Sequence, residues 1–426
     1  MLRFVNQHYA PDVASTGQHL TDLAEYLAAR GVDIEIVTAR GHYVGGLLDA
    51  PARETRNRVR VRRLATAGFG RRSRVGRVID YALFYIQVLW LTCAGRAPAA
   101  TVFLTTPPLL GVIGWLGRRL RGRRYAIWSM DLHPDAEIAA GMLKPTSVLG
   151  RVLVWLNNRG YRGADLVIDL GPYMRGRILT KGVDPDRVRT VPVWGPAPGK
   201  HGPDRQGDLR TKVSIGDRFL VMYSGNAGIV HDFRDVLEAM RLLRDDDRVY
   251  FLFIGGGPRR PEIEEYIRVH GLRNVSYQGY VPREQVAAVL AAADVHLITL
   301  RAPFAGIAVP GKLYGIMEAG RPALFVGPVA CETAETIRTA ACGVVVDPED
   351  GNAAERIVAT IVGWRGNPVV AREAGARGRA AYMARFQRDP NCAAFGRALA
   401  SVWPHVVPPS VTPAAPSTVT EIMSVA

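Results

Sequence analysis

The stretch FAGIAVPGKLYGIMEAGRP, residues 304–322, decides the fold of this chain. An apolar run precedes it at 295–300 and another follows at 323–326, and both read as buried strands. Between them Pro310 suits the first position of a helix, Leu313, Ile316 and Met317 share one face, and Gly320 with Pro322 ends it. The unit is strand, loop, helix, strand. In a parallel sheet such a loop lies at the carboxyl edge of the strands, where ligands bind. Lys312 falls in the first helical turn, where the helix dipole disfavours a cation unless an anion lies beside it. Two readings stand: a solvated lysine on an ordinary crossover, or a cation kept for an anionic ligand.

Upstream the pattern repeats. Strands are predicted at 219–223, 249–254 and 275–278, with a further one at 343–346, and helices at 233–243, 261–269, 283–291 and 353–362. The first three strands run into glycine turns: SGNAG gives Gly225, Asn226 and Gly228, GGGP gives Gly255, Gly256 and Gly257, and QGYV gives Gly279, Tyr280 and Val281. Glycine at a strand end lets a ligand approach the backbone closely, and three such turns converging with the Lys312 helix predict a ligand cleft. Arg259 and Arg260, beside the second turn, read as a solvated pair.

The amino-terminal half opens as βαβ, with a strand at 2–5, the loop NQHYAPDVASTG, a helix at 18–29 and a strand at 34–37. Ser15, Thr16 and Gly17 then sit at a helix N-terminus, a plausible anion contact, but the spacing is not GxGxxG and supports no dinucleotide site. Further strands are predicted at 100–104, 125–128, 166–168 and 189–193, so both halves read as doubly wound α/β sheets. WSMDLHPD places Asp131 and His133 at a strand end: Asp131 either orients a hydroxyl or caps a helix, and His133 either contacts a ligand or is structural. Residues 195–216, rich in Pro, Gly and charge, read as a linker between domains 1–200 and 201–380. A helix at 385–402 is expected to complete the first domain, and a Pro-rich tail at 404–426 reads as disordered.

At 426 residues the chain has room for two domains. Its four cysteines, Cys93, Cys331, Cys342 and Cys392, form no close pair, which points away from a disulfide framework or a zinc site and fits a reducing cytoplasm. No leader segment and no apolar run of membrane-spanning length is read, so a soluble or peripheral protein is expected. The net charge is +15, and residues 51–125 hold 16 Arg against Glu54 and Asp80. Apolar stretches at 81–93 and 109–116, with Trp90 and Trp115, interleave with them. This is either a surface for anionic lipid or a set of core helices with a solvated rim. No helix-turn-helix, zinc-finger or RNA-binding pattern is present.

YSGNAG, FLFIGGGP, NVSYQGYVP, AADVHLITL and GKLYGIMEAGRPALFVGP, in this order, resemble the second domain of retaining, nucleotide-sugar-dependent glycosyltransferases of family 4. YAPDVASTGQHLTDLAEYLAARGVDIEIVTAR, WSMDLHPD and GVDPDRVRTVPVW resemble their first domain, and the likeness runs over residues 2–402. It is closest in type to transferases that build O-antigen, capsule or colanic-acid polysaccharides.

The resemblance implies a GT-B fold, two Rossmann-like domains facing a cleft, and transfer of a sugar with retention from a nucleoside diphosphate sugar. Its diphosphate would lie by Gly225, Asn226, Gly228, Gly256 and Lys312, its base against Gly279, Tyr280 and Val281, and its sugar at the 304–309 loop with Gly306 and Val309. Pro310, Lys312 and Tyr314 match a Pro-x-Lys-x-Tyr pattern of the polysaccharide-building subgroup. The acceptor would meet Thr16, Gly17 and Gln18, and Lys312, His133 and Asp131 would carry the catalysis. No metal and no cofactor beyond the donor is implied. The implied acceptor is a polyprenyl-diphosphate-linked glycan at the cytoplasmic face of an anionic membrane, with no nucleic-acid partner. Two departures stand out. Ile307 and Gly315 occupy positions where many relatives carry glutamates, and Ile229, Val230, His231 and Asp232 replace an Arg and a Lys that hold the diphosphate. A nucleotide-sugar 2-epimerase and a catalytically silent nucleotide-sugar-binding partner subunit are the competing readings.

Overall fold

Strands 2–5, 100–104 and 125–128 are apolar but for Arg3 and Thr101, and in the computed structural model every one of their residues is buried. Both faces of a parallel sheet are covered by helices, so its central strands need no polar side. The structure describes residues 1–43, 45–69, 74–195, 206–282 and 285–409.

The first sheet comprises β1 (Leu2–Val5), β2 (Ile34–Ala39), β3 (Arg53–Arg56), β4 (Val59–Leu64), β5 (Ala100–Leu104), β6 (Tyr125–Trp128), β7 (Leu166–Asp169) and β8 (Val188–Thr190). Their order is β3-β4-β2-β1-β5-β6-β7-β8, parallel except for the β3–β4 hairpin. The second sheet comprises β9 (Phe219–Asn226), β10 (Val249–Gly256), β11 (Val275–Gln278), β12 (Val295–Thr299), β13 (Ala323–Val326) and β14 (Gly343–Val346). Its order is β11-β10-β9-β12-β13-β14, parallel throughout. In each sheet the order reverses beside the first strand, which opens a crevice at the carboxyl edge.

Several elements differ from the expectation. The segment RETRNRVRVRRL forms β3 and β4 around a turn at Asn57 and Arg58, because Val59, Val61, Arg63 and Leu64 are buried within the arginine run. Arg63 is buried against Glu54 at 2.7 Å and donates to the Ala10 carbonyl at 2.8 Å, so part of the positive charge is structural. β8 stops at Thr190 rather than continuing to 193, since Pro192 has no N–H to give the ladder. Within the expected linker, Gln206–Lys212 is helical and packs on the helix Val286–Ala292; residues 196–205 lie outside the described residues. In the expected tail, Val406 and Val407 are buried, while 410–426 lie outside the described residues.

Helix Arg74–Cys93 packs on helix Leu110–Arg121, which packs on helix Val148–Gly163, forming one layer over the first sheet. Helix Arg388–Val402 returns from the second domain to lie on helix Ser15–Ala28. The chain thus passes between domains twice, and the two passages touch: a Cβ on Gly195 would come within 2.9 Å of the Tyr382 ring. The core of the first domain continues into the second through Phe304, Ile307, Leu313 and Tyr314.

Candidate active site

β9 and β10 carry Gly225 and Gly255 side by side, one residue before their ends. Gly225 has φ +134° and Gly255 φ +132°, and a Cβ on Gly255 would stand 2.1 Å from the Gly225 carbonyl oxygen, so no other residue fits there. A Cβ on Gly225 would lie 3.5 Å from Lys312 Nζ, so this bare strand end also gives the lysine its room. Helix Lys312–Glu318 has only seven residues. Its dipole is correspondingly small, and the electrostatic weight rests on the lysine itself.

Lys312 Nζ is fully covered, lies 3.6 Å from the centroid of the Tyr223 ring, and has no hydrogen-bond partner among the described residues. Burial holds its pKa well below that of an ordinary lysine. Arg259 Nε is also buried without a partner, although its Nη1 donates to Glu262 at 2.8 Å. Arg259 and Arg260 are both partly exposed and each bonds a glutamate, Arg260 reaching Glu264, so only the Arg259 Nε departs from the solvated pair expected. Thr299 Oγ1 is a third buried polar atom left over. His231 Nδ1 donates to the Thr299 carbonyl at 2.6 Å, and burial followed by the Lys312 charge pushes its pKa down to about 3, so the ring is neutral. An unsatisfied buried cation such as Lys312 costs several kcal/mol unless an anion meets it. The arrangement suits an anion.

Tyr280 is 53% exposed and leans over Gly256, with its hydroxyl 3.4 Å from Asn226 Oδ1. Gly279 has open space around it, and the Gly228 carbonyl accepts the His231 N–H. These positions and Lys312 lie at one sheet edge. Other expected donor residues pack partly or wholly within the protein. Tyr314 is buried with its ring 4.7 Å from Phe386, Val281 packs on the core formed with Ile215 and Leu220, and Val309 packs on the first-domain core. Gly306, at φ +68°, is required where the chain passes the Tyr173 carbonyl, with 2.8 Å to a Cβ, so its role is at the domain contact. Pro310 closes the turn into the helix, its carbonyl accepting the Leu313 N–H. Ile307 and Gly315 are buried, and Glu318 points at Gly195 rather than at the cleft, its pKa pushed up to about 7 by burial.

Across the cleft, the Asp131 N–H donates to Thr105 Oγ1 at 3.1 Å and the Leu132 N–H to the Ile307 carbonyl at 3.0 Å. Asp131 therefore stands where the two domains meet. Burial pushes its carboxyl pKa up, against the opposing pull of His133. His133 Nδ1 lies 2.8 Å from Glu137 Oε1. Burial alone would lower the His133 pKa, but the Glu137 bond and charge, with Asp131 and Asp135, raise it. With Nδ1 committed, Nε2 is the atom left for a ligand.

Gly17 and Thr16 lie in the first turn of helix Ser15–Ala28, which starts three residues earlier than expected. A Cβ on Gly17 would meet the His8 carbonyl carbon at 3.0 Å, while Gln18 turns its side chain back to the Val13 carbonyl at 2.8 Å. Beside them is a pair that the sequence reading missed. His8 Nδ1 and Asp12 Oδ2 are 2.6 Å apart, and Asp12 also accepts the Val13 and Tyr43 N–H groups. Glu332 was missed too: it is buried between the domains and accepts the Met174 N–H. Among the described residues no cluster of three or more His, Cys, Asp or Glu could hold a metal ion.

Two facing α/β domains with a cationic, glycine-walled cleft define a GT-B transferase. Residues 16–194 match the glycosyl transferase 4-like domain and residues 218–363 the glycosyl transferases group 1 domain, and the chain belongs to this family of glycosyltransferases. It is 24% identical over 355 residues to WcaI of Escherichia coli, a protein assigned to colanic acid biosynthesis as a glycosyl transferase, covering 80% of this chain and 87% of that one. In fold it is similar to sucrose-phosphate synthase of Thermosynechococcus elongatus, with a TM-score of 0.72 at 18% identity over 95% of this chain and 99% of that one. It is likewise similar to HepE of Anabaena in complex with UDP-glucose, with a TM-score of 0.70 at 16% identity over 94% and 99%.

Proposed function

We propose that the protein moves a sugar, with retention of configuration, from a nucleoside diphosphate sugar to a polyprenyl-diphosphate-linked glycan in cell-surface polysaccharide synthesis. One observation carries the reading: Lys312 Nζ is buried and unpartnered beside the bare Gly225 strand end, with Arg259 Nε unpartnered nearby. As the bond from the sugar to the diphosphate breaks, negative charge grows on the leaving group, and these fixed donors stabilise it without reorganising. Asp131 and His133, on the opposite wall, orient the acceptor hydroxyl. No metal is needed for this division of labour. The UDP-glucose bound in HepE and the colanic acid assignment of WcaI support the donor and pathway class.

The membrane location rests on helix Arg74–Cys93. Val75, Ile86 and Trp90 are 71, 65 and 61% exposed, and Val78, Ile79, Leu83 and Leu89 share the outward side while Phe84, Val88 and Leu91 are buried. Helix Val148–Gly163 adds exposed Val148, Leu149, Val152 and Trp155. Among the described residues no helix is long and apolar enough to cross a membrane. An apolar stripe bordered by arginine suits a helix lying in the headgroup layer of an anionic bilayer at the cytoplasmic face.

Calorimetric titration of UDP, GDP and ADP into the protein and into Lys312→Ala tests the donor site. One diphosphate should bind, and more weakly to the variant by about 1.5–3 kcal/mol. Ile307 and Gly315 favour a second reading, a silent nucleotide-sugar-binding partner, which donor binding without turnover on any lipid extract would support.

A further inference from the structure

Next to His133, on the first-domain side of the cleft, the structure holds a cavity of about 230 Å³. Six of its lining residues are hydrocarbon in character: Pro108, Leu109, Pro134, Met142, Leu143 and Leu153. The remaining two, His133 and Glu137, are bonded to each other, and the neighbouring Asp135 is bonded to Lys181 at 2.6 Å. No unpaired charge faces the interior, so a sugar or a phosphate placed there would lose its water without gaining partners. The volume corresponds to about eight groups of water or methylene size, and is smaller than sites that enclose a whole drug-sized ligand. It suits one end of a chain.

The cavity is also continuous with the apolar surface. Met142 lines it and is 69% exposed, and the helix that supplies Leu153 also exposes Val148, Leu149 and Val152. Leu109 caps helix Leu110–Arg121, against which the stripe-bearing helix Arg74–Cys93 packs. Met142 and the Leu153 helix thus place exposed apolar side chains at the mouth of the cavity.

We infer that this cavity holds the first isoprenoid units of the acceptor's lipid, with the diphosphate they carry at the His133 side of the cleft. The inference rests on the proposed acceptor class, and it assigns a lipid subsite that positions the acceptor relative to Asp131 and Lys312. Chain occupancy fixes how far the acceptor glycan extends into the cleft.

Farnesyl diphosphate, below its micellar concentration, and inorganic diphosphate are the probes, each titrated into the full chain. Farnesyl diphosphate should bind about tenfold tighter or more, the gain from burying two or more methylene equivalents. Leu153→Trp, which fills the cavity, should abolish that preference and leave inorganic diphosphate binding unchanged, with thermal unfolding confirming that the variant folds. Equal binding of the two probes overturns the inference, as does a preference that survives Leu153→Trp. A preference lost in Ile86→Glu but kept in Leu153→Trp also overturns it, placing the chain on the helix stripe. Nucleoside diphosphate titration reads the other half independently: chain preference with no nucleoside diphosphate bound supports the cavity while removing the transferase reading.

Discussion

Glu332 accepts the Met174 N–H at 2.6 Å across the domain boundary, joining residues 158 apart in the chain. Met174 lies in the first turn of helix Pro172–Thr180, where free N–H groups favour an anion. The contact is close enough that a Cβ on Gly171 would lie 2.4 Å from Glu332 Cγ. A second bond, Arg177 Nε to the Ala305 carbonyl at 2.6 Å, runs beside it. Glu332→Ala should weaken the closed arrangement by about 1–3 kcal/mol, as for other charged hydrogen bonds. Small-angle scattering should report a larger radius of gyration for Glu332→Ala, whereas Glu332→Gln, which keeps an acceptor oxygen, should stay close to the parent. Identical radii for all three proteins would refute the clasp.

Asp169, at the carboxyl end of β7, has its pKa pushed up to about 7 from 3.8, chiefly by burial and against the Thr190 and Gly171 hydrogen bonds. A carboxyl whose folded pKa is raised binds more protons folded than unfolded between these values. Its contribution is therefore present at about pH 4 and lost as pH rises through 7. Asp169→Asn should remove on the order of 2 kcal/mol of that pH dependence. Urea unfolding at pH 5 and pH 8 would measure it. An unchanged difference between the two pH values counts against the assignment.

Lys312 presents the opposite sign. Burial lowers its folded pKa, so the unfolded chain holds more protons in the window up to about 10.4, and stability rises with pH there. Lys312→Met should flatten that rise and stabilise the unliganded protein by about 1 kcal/mol or more at neutral pH, while weakening diphosphate binding by about 1.5–3 kcal/mol as Lys312→Ala does. A variant that is less stable than the parent at neutral pH would mean that the ammonium has a partner in solution.

The outward stripe of helix Arg74–Cys93 gives a fourth expectation. Ile86→Glu combined with Trp90→Glu alters two side chains that are 65 and 61% exposed, so thermal stability should barely change. Sedimentation with anionic vesicles should fall about tenfold or more, since two buried apolar anchors are replaced by charges repelled from the surface. Undiminished sedimentation would place the contact elsewhere on the molecule.

Residue patterning made both sheets legible, since uninterrupted Val, Ile and Leu runs between glycine turns have few alternatives. β3 and β4 escaped because arginine is read as surface, whereas Arg63 is buried by Glu54 and two backbone carbonyls from distant segments. The glycine turns and Lys312 were legible for the same local reason: each sits at the end of its own strand or helix. What tertiary contact decides was not. Glu332 looks like any first-turn carboxylate until helix Pro172–Thr180 is set against it. Tyr314 and Gly306 share a stretch with Lys312, yet one turns to Phe386 and the other to Tyr173. Arg259 and Arg260 are adjacent in sequence and both pair with a glutamate, and only the fold shows that Arg259 also turns a covered, unpartnered Nε inward.

The meeting of Gly195 with Tyr382 makes the joint between the halves a two-stranded pivot. A single tether would let one lobe swivel freely; two passages in contact confine the motion to opening and shutting about one line. Dissection of the protein must respect this. A fragment ending at Gly195 would lack the helix Arg388–Val402 that closes its own first lobe, and a fragment beginning there would carry that helix with nothing to cover it.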